Sequence, residues 1–368
     1  MSLYQERLDR IRAVVALEPV DRVPFSYLGS AVNVQFTGGN LARYCQDMKY
    51  NLEINLRGIE MAGEIDCTQT AVYRPDILSV LWLSEVALPG RGLPENELWQ
   101  LRERELVTQQ DYDKILAGGF GGWYNDFLKK KLGDPLKRLP GYVLAMWQAE
   151  RAFAKKGIPS INRGGFYSPY EMFCGGRSLV PFVTEDLRGM PDKLDRVFQK
   201  AQAYNLKLFR LQLKNPLGKP LAMWIGCWRG TPSMISPAIF ERFTWKYVRE
   251  IVELTIENGV IPILHLDSCW DRGLKYLLQL PKGKCIAALD GSTDIIQAKE
   301  ILGNHMCIMG DVPASLSANG TPEEVSAYCK KLIREVGPTG FILCSGCEIP
   351  YNARLENVQA MIGSVHQQ

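Results

Sequence analysis

Five stretches of near-continuous apolar residues alternate with helical periods through the second half of the chain. Leu221-Ala222-Met223-Trp224-Ile225-Gly226 has the length and apolar saturation of a strand buried on both faces. Ser236-Pro237 behind it predicts an N-cap followed by proline in the first helical turn. Ile239, Phe240, Phe243, Tyr247, Ile251 and Leu254 then carry a helical period as far as Asn258-Gly259, a stop signal. Residues 261–266, 285–289, 306–310 and 341–344 predict four more strands. Helices are expected between them at about 274–280 and 294–302, and from the capping box Thr321-Pro322-Glu323-Glu324 to near Gly337.

Buried strands alternating with helices mean a parallel sheet covered by helices. The first half of the chain supplies three further strand candidates, at 23–27, 67–73 and 160–162. Eight strands favour a closed TIM-type (β/α)8 barrel, an α/β fold, over an open sheet. No Gly-x-Gly-x-x-Gly follows the first strand, and Gly118-Gly119-Phe120-Gly121-Gly122 is too loose for a phosphate cradle. Two stretches break the rhythm: residues 76–110, β-rich around Pro89-Gly90-Arg91-Gly92, and residues 111–157, helical and basic at Lys129, Lys130 and Lys131. We expect one barrel domain over 1–368, carrying N-terminal helical and β-rich decorations with 76–157 as a rim insertion.

Composition narrows the class. Of 368 residues, 46% are hydrophobic and 23% charged, and the net charge is only +3, without long runs of either sign. A nucleic-acid partner would call for a clustered basic face, so none is expected. Nor is a membrane partner, since no apolar run approaches the roughly 18 residues a bilayer span needs. The polar start Met1-Ser2-Leu3-Tyr4-Gln5-Glu6-Arg7 does not read as a signal peptide, and ten irregularly spaced cysteines point to a reducing cytoplasm. Most of these, including Cys67, Cys174, Cys285 and Cys329, lie in apolar runs and read as small core hydrophobes.

In a barrel the chemistry gathers where strands end. His265-Leu266-Asp267-Ser268-Cys269 ends the fifth strand, Asp290 the sixth, Asp311 the seventh and Cys344-Ser345-Gly346-Cys347 the eighth. Alternation puts His265 and Asp267 on one side of their strand. Imidazole, carboxylate and thiolate converging there form a three-ligand zinc site with one open position. Cys269 and Asp290 are lesser ligand candidates. Cys307 is another, but it sits about four residues, roughly 13 Å, below Asp311 and reads as a core thiol. Cys344 also reads as core, His305 lies on the opposite rim and His366 in the tail. Trp224, Trp228, Tyr167 and Tyr170, with Asp311, are candidates for a substrate pocket, and Phe173 belongs to the same aromatic group.

These residues carry a resemblance. Gly346-Cys347-Glu348-Ile349-Pro350, paired with the His265 strand end, resembles the zinc motif of the uroporphyrinogen decarboxylase-like methylcobalamin:coenzyme M methyltransferases and their corrinoid-dependent relatives. Asp21-Arg22-Val23-Pro24, Ser236-Pro237, Gly310-Asp311-Val312-Pro313, Gly320-Thr321-Pro322-Glu323-Glu324, Asn357 and Met361 extend the likeness over nearly the whole chain. It implies a zinc-dependent methyltransferase that exchanges methyl groups with a separate corrinoid protein, homodimerisation being left open. One departure matters: where the coenzyme M enzymes have His-x-Cys, this chain has His265-Leu266-Asp267. Either Asp267 replaces the thiolate, or Cys269 reaches in, or Cys307 joins in the Asp-Cys-Cys manner of the aryl methyl ether enzymes, or the metal is lost; Asp267 is favoured.

An oxygen ligand leaves zinc a harder Lewis acid, which suits an ether oxygen over a thiol. The expected reaction is therefore demethylation of a methoxylated, aromatic substrate by the Co(I) corrinoid of a partner. Transfer from methyl-corrinoid to a thiol or folate is the alternative, and a metal-free decarboxylase or a barrel that only docks a corrinoid protein are further ones. No Asp-x-His-x-x-Gly occurs to ligate cobalt, so the corrinoid must come from outside. The arginine-rich start that uroporphyrinogen decarboxylases use for substrate carboxylates is also absent.

Overall fold

The computed structural model describes residues 1–214 and 219–367. Its centre is a closed ring of eight parallel strands: β1 (Ser26–Tyr27), β2 (Cys67–Thr68), β3 (Asn162–Tyr167), β4 (Ala222–Cys227), β5 (Ile261–Leu266), β6 (Ile286–Leu289), β7 (Cys307–Val312) and β8 (Phe341–Ser345). Strands β3 to β8 pair in sequence order as one parallel sheet, and β1 pairs with β2. Bridges between Phe25 and Leu343 and between Thr68 and Ser160 close the circle on either side. The fold is the TIM barrel.

The C-terminal strands lie where the apolar runs put them. The third differs: it occupies Asn162–Tyr167 rather than 160–162, while β1 and β2 shrink to two residues each. Gly164-Gly165 in the middle of β3 removes the side chains that would have announced a strand. Strand β7 runs on to Val312, so Asp311 lies within it rather than after it.

The barrel interior is filled by Ile263, Ile286, Ala288, Cys307, Met309, Ile342 and Cys344. Helix Leu3–Val15 lays Ile11, Val14 and Val15 against the same cluster and closes the end where the strands begin. Fully buried Asp66 holds that closure: its carboxylate accepts from Arg10 Nη1 at 2.7 Å, from both Arg22 terminal nitrogens at 2.8 Å and from the Phe25 amide at 2.8 Å. A buried carboxylate is tolerable only when satisfied in this way.

Residues 76–157, the excursion between β2 and β3, break the strand–helix alternation. A small sheet of Glu85–Pro89, Gly92–Leu93 and Gln100–Arg102 precedes helices Gln109–Gly118, Phe120–Lys131 and Leu139–Lys155. Tyr112, Phe120 and Trp123 build a second apolar cluster with Phe173 and Phe198, which belong to helices Pro169–Arg177 and Pro191–Leu213 of the barrel layer. No helix among the described residues is long and apolar enough to cross a membrane.

Candidate metal centre

Strand β5 delivers His265 into the barrel mouth, and Asp267 follows one residue past the strand end. Cys347 lies two residues past β8. The Nε2 of His265 is 3.1 Å from Asp267 Oδ1 and 3.4 Å from Cys347 Sγ, and the three ligand atoms lie within 4.8 Å of one another. Among the described residues these three alone make such a cluster.

Zinc bonds of roughly 2.0 Å to N and O and 2.3 Å to S, at tetrahedral angles, set ligand edges of about 3.3 Å for N–O and 3.5 Å for N–S. The observed separations from His265 are close to both, so the side chains present fit a zinc ion. Electrostatics agree. Burial alone would lower the His265 pKa, but its bonds to Asp267 and Cys347 overcome that and raise it to about 10. The cluster thus favours a cation between its oxygen and its sulfur, and a divalent ion can replace the proton.

Two of the three side chains, Cys347 and His265, are held by their own neighbours. The Gly346 amide donates to Val312 O at 2.9 Å, which hangs the Cys347 loop on β7. A Cβ at Gly346 would lie 2.4 Å from Asp290 O, so only glycine lets the loop pass. Glu348 anchors the other side, accepting from the Ser30 amide at 2.7 Å and from the Ser30 hydroxyl in the loop after β1. Trp224 stacks on the His265 ring at 4.2 Å, 14° from parallel, and donates its indole N–H to Gln69 Oε1 at 2.9 Å. Gln69 is itself buried and donates to Cys344 Sγ at 3.3 Å. The imidazole therefore has one face covered and its Nε2 edge presented to the ligands.

The aromatic candidates separate. Tyr167 leans over Gly226, where a Cβ would meet its ring at 2.0 Å, and Gly226 is the register partner of His265. Burial first, then the nearby Asp267, Glu171 and Cys347, raise the Tyr167 pKa well above the ordinary phenol range. Trp228 packs on Trp82 at 4.8 Å and carries Arg229 over its ring at 3.8 Å. Arg229 is in turn held by Glu103 of the rim excursion at 2.6 Å. The Tyr170 ring is wholly buried, edge-on to Phe182 at 5.0 Å in the second apolar cluster. The helix that begins at Pro169 points it into the protein.

The lesser ligand candidates stand apart from the cluster. Cys307 is buried in the barrel interior, where desolvation pushes its thiol pKa up. Cys269 lies beside Asp271. Asp290 spends its carboxylate on the amides of Ser268 at 2.6 Å and Ser292 at 2.8 Å. Asp311, expected at the substrate, instead accepts from the Tyr328 hydroxyl at 2.9 Å; burial pushes its pKa up to about 6. His305 and His366 are bonded to the carbonyls of Leu280 and Glu64.

Glu171 is a residue that the sequence pattern passed over. Completely buried beside the centre, it accepts backbone N–H bonds from Trp228, Arg229 and Gly230 at 2.9–3.0 Å and so shapes the loop after β4. Burial pushes its pKa up to about 7 against the pull of those bonds, and Asp267 adds to the rise.

Residues 169–368 match the sequence profile described as Uroporphyrinogen decarboxylase (URO-D). A uroporphyrinogen decarboxylase of Coxiella burnetii is 26% identical over 219 residues, 56% of this chain and 57% of its own length. One from Neisseria meningitidis is 24% identical over 220 residues, 57% of this chain and 59% of its own. The chain thus spans a little over half the length of these curated relatives. Among solved structures, a methyltransferase from Methanosarcina mazei superposes with a TM-score of 0.73 at 16% identity, covering 100% of this chain and 99% of its own. At that identity the likeness is one of fold.

Proposed function

Because this chain belongs to the uroporphyrinogen decarboxylase family, we propose that it uses the family's barrel as a zinc-dependent corrinoid methyltransferase, with His265, Asp267 and Cys347 as the metal ligands. The substrate would be a methoxylated, aromatic compound, and the methyl acceptor the Co(I) corrinoid of a separate protein. The observation that carries the reading is the cluster itself, three zinc-type donors within 4.8 Å at the mouth of the barrel. A decarboxylase handling a polycarboxylate would want free cations there. Instead Arg229, the cation that lies over Trp228, is engaged by Glu103.

Zinc held there would supply Lewis acidity toward the ether oxygen of the substrate. The chain's own residues do the rest. Asp267, standing where the coenzyme M enzymes have cysteine, gives a harder donor set than two thiolates would. Trp224 and Gln69 fix the imidazole, Glu348 and Gly346 fix the Cys347 loop, and Tyr167 walls the mouth next to the ligands. In the overall transfer the methyl–oxygen bond breaks, the methyl group bonds to cobalt, and the aryl oxygen leaves as an anion that takes up a proton.

The test mixes the zinc-loaded chain, cob(I)alamin and methoxybenzoates, and follows methylcobalamin by absorbance. We expect turnover with a methoxy compound. Turnover confined to methylated thiols or amines would overturn the substrate assignment, and full activity without stoichiometric zinc would overturn the metal. A companion experiment concerns Gln69. Gln69→Leu frees the Trp224 indole from its acceptor, and zinc affinity measured against a chromogenic chelator should fall by about three- to tenfold, less than for a group bonded directly to a metal ligand, because Gln69 acts on His265 only through Trp224. Unchanged affinity would mean that the indole stack does not orient His265.

A further inference from the structure

Barrel strands flanked by helices are buried on both faces, and in β4 to β8 nearly every residue is. In β3 five of the six residues, Asn162 to Phe166, are only half-buried. The reason is a cavity of about 510 Å³ behind the strand, between its outer face and helices Leu139–Lys155 and Pro191–Leu213. Tyr142, Val143, Met146, Trp147 and Leu208 line it from the helices. Gly164 leaves it open on the strand side, and its φ of +147° makes a side chain there unfavourable.

From this space we infer a second small-molecule site, separate from the metal centre, for an uncharged, largely apolar ligand. None of His265, Asp267 and Cys347 lines it, and of the mouth residues described above only Tyr167, at the end of β3, borders it. Its volume falls in the range of ordinary ligand pockets, about 300–1,000 Å³. Its lining is aliphatic and aromatic with few polar groups, and the one formal charge in it, Arg163, is neutralised by Glu150 at 2.5 Å. A charged ligand would therefore be desolvated without a partner. The amides of Asn205 and Gln212 are the groups placed to meet one polar atom of the guest. Exposed Leu139 and Leu208 stand in the lining where it meets solvent and give the site an apolar entrance.

The probe for the test is N-phenyl-1-naphthylamine, an uncharged apolar dye that brightens in apolar surroundings. Full-length protein should bind about one dye per chain saturably. Val143→Trp and Met146→Trp, each filling the space from the helix side, should each weaken binding by about tenfold or more, whereas Cys347→Ala should leave it unchanged. Two fillers are used so that one badly folded variant does not decide the matter. Binding that survives in a folded filler, binding lost with Cys347, or no saturable binding at all would each overturn the assignment. So would a wild-type dimer that admits the dye only on dissociation, because a second copy would then be the occupant.

Discussion

Cys347→Ala is expected to lose nearly all bound zinc and at least about a thousandfold in methyl transfer, while the protein unfolds within about 1 kcal/mol of wild type. The two halves of this expectation have separate causes. Cys347 is an exposed residue on a loop beyond β8, so truncating it opens no core cavity. Its loop keeps other anchors, the Glu348 carboxylate on Ser30 and the Gly346 amide on Val312. The metal, however, loses one of three protein donors, and His265 and Asp267 alone do not make a closed binding set. Metal analysis of the purified variant, with chemical denaturation alongside, reads both halves. Zinc retained in full would remove Cys347 from the ligand set, and a large loss of stability would make it a structural residue.

The clustering of His265, Asp267 and Cys347 was legible because strand ends can be read from apolar runs. Residues 261–266 and 341–344 stand out as buried strands, so His265, Asp267 and Cys347 could be placed on one rim before any coordinates. The same logic failed for β3, whose Gly164-Gly165 carries no hydrophobic signal, and for β1 and β2, which are two residues long and held by bridges. Tyr170 is buried against Phe182 and Asp311 is bonded to Tyr328, because nearness to a strand end does not say which way a side chain turns. The supporting polar residues were invisible for another reason. Glu348 works through Ser30, 318 positions away, Glu171 through amides 57 to 59 positions on, and Gln69 through Trp224, 155 positions on. Backbone amides have no sequence signature. Only local pairs of this sort, such as the Thr321–Glu324 capping box, announce themselves.

Arg177→Met is expected to cost about 3–5 kcal/mol of stability, more than a substitution remote from the core would. Arg177 is 1% exposed and ties the rim excursion to the barrel. It donates to fully buried Asp186 through Nε at 2.7 Å, to Glu105 at 2.5 Å and Glu185 at 2.9 Å, and to the Val107 carbonyl at 3.3 Å. The aliphatic replacement keeps most of the volume, so the loss is electrostatic. Asp186 would remain buried with only the Tyr112 hydroxyl and Gln109 amide as donors. Its negative charge would then stay buried without a cationic partner, which is where the cost arises. Asp186→Asn added to Arg177→Met removes that charge and should recover part of the deficit. Urea unfolding of the wild type, the two single variants and the double variant is the measurement. A deficit below about 1 kcal/mol, or one untouched by Asp186→Asn, would show that the buried pair does not hold the excursion to the barrel.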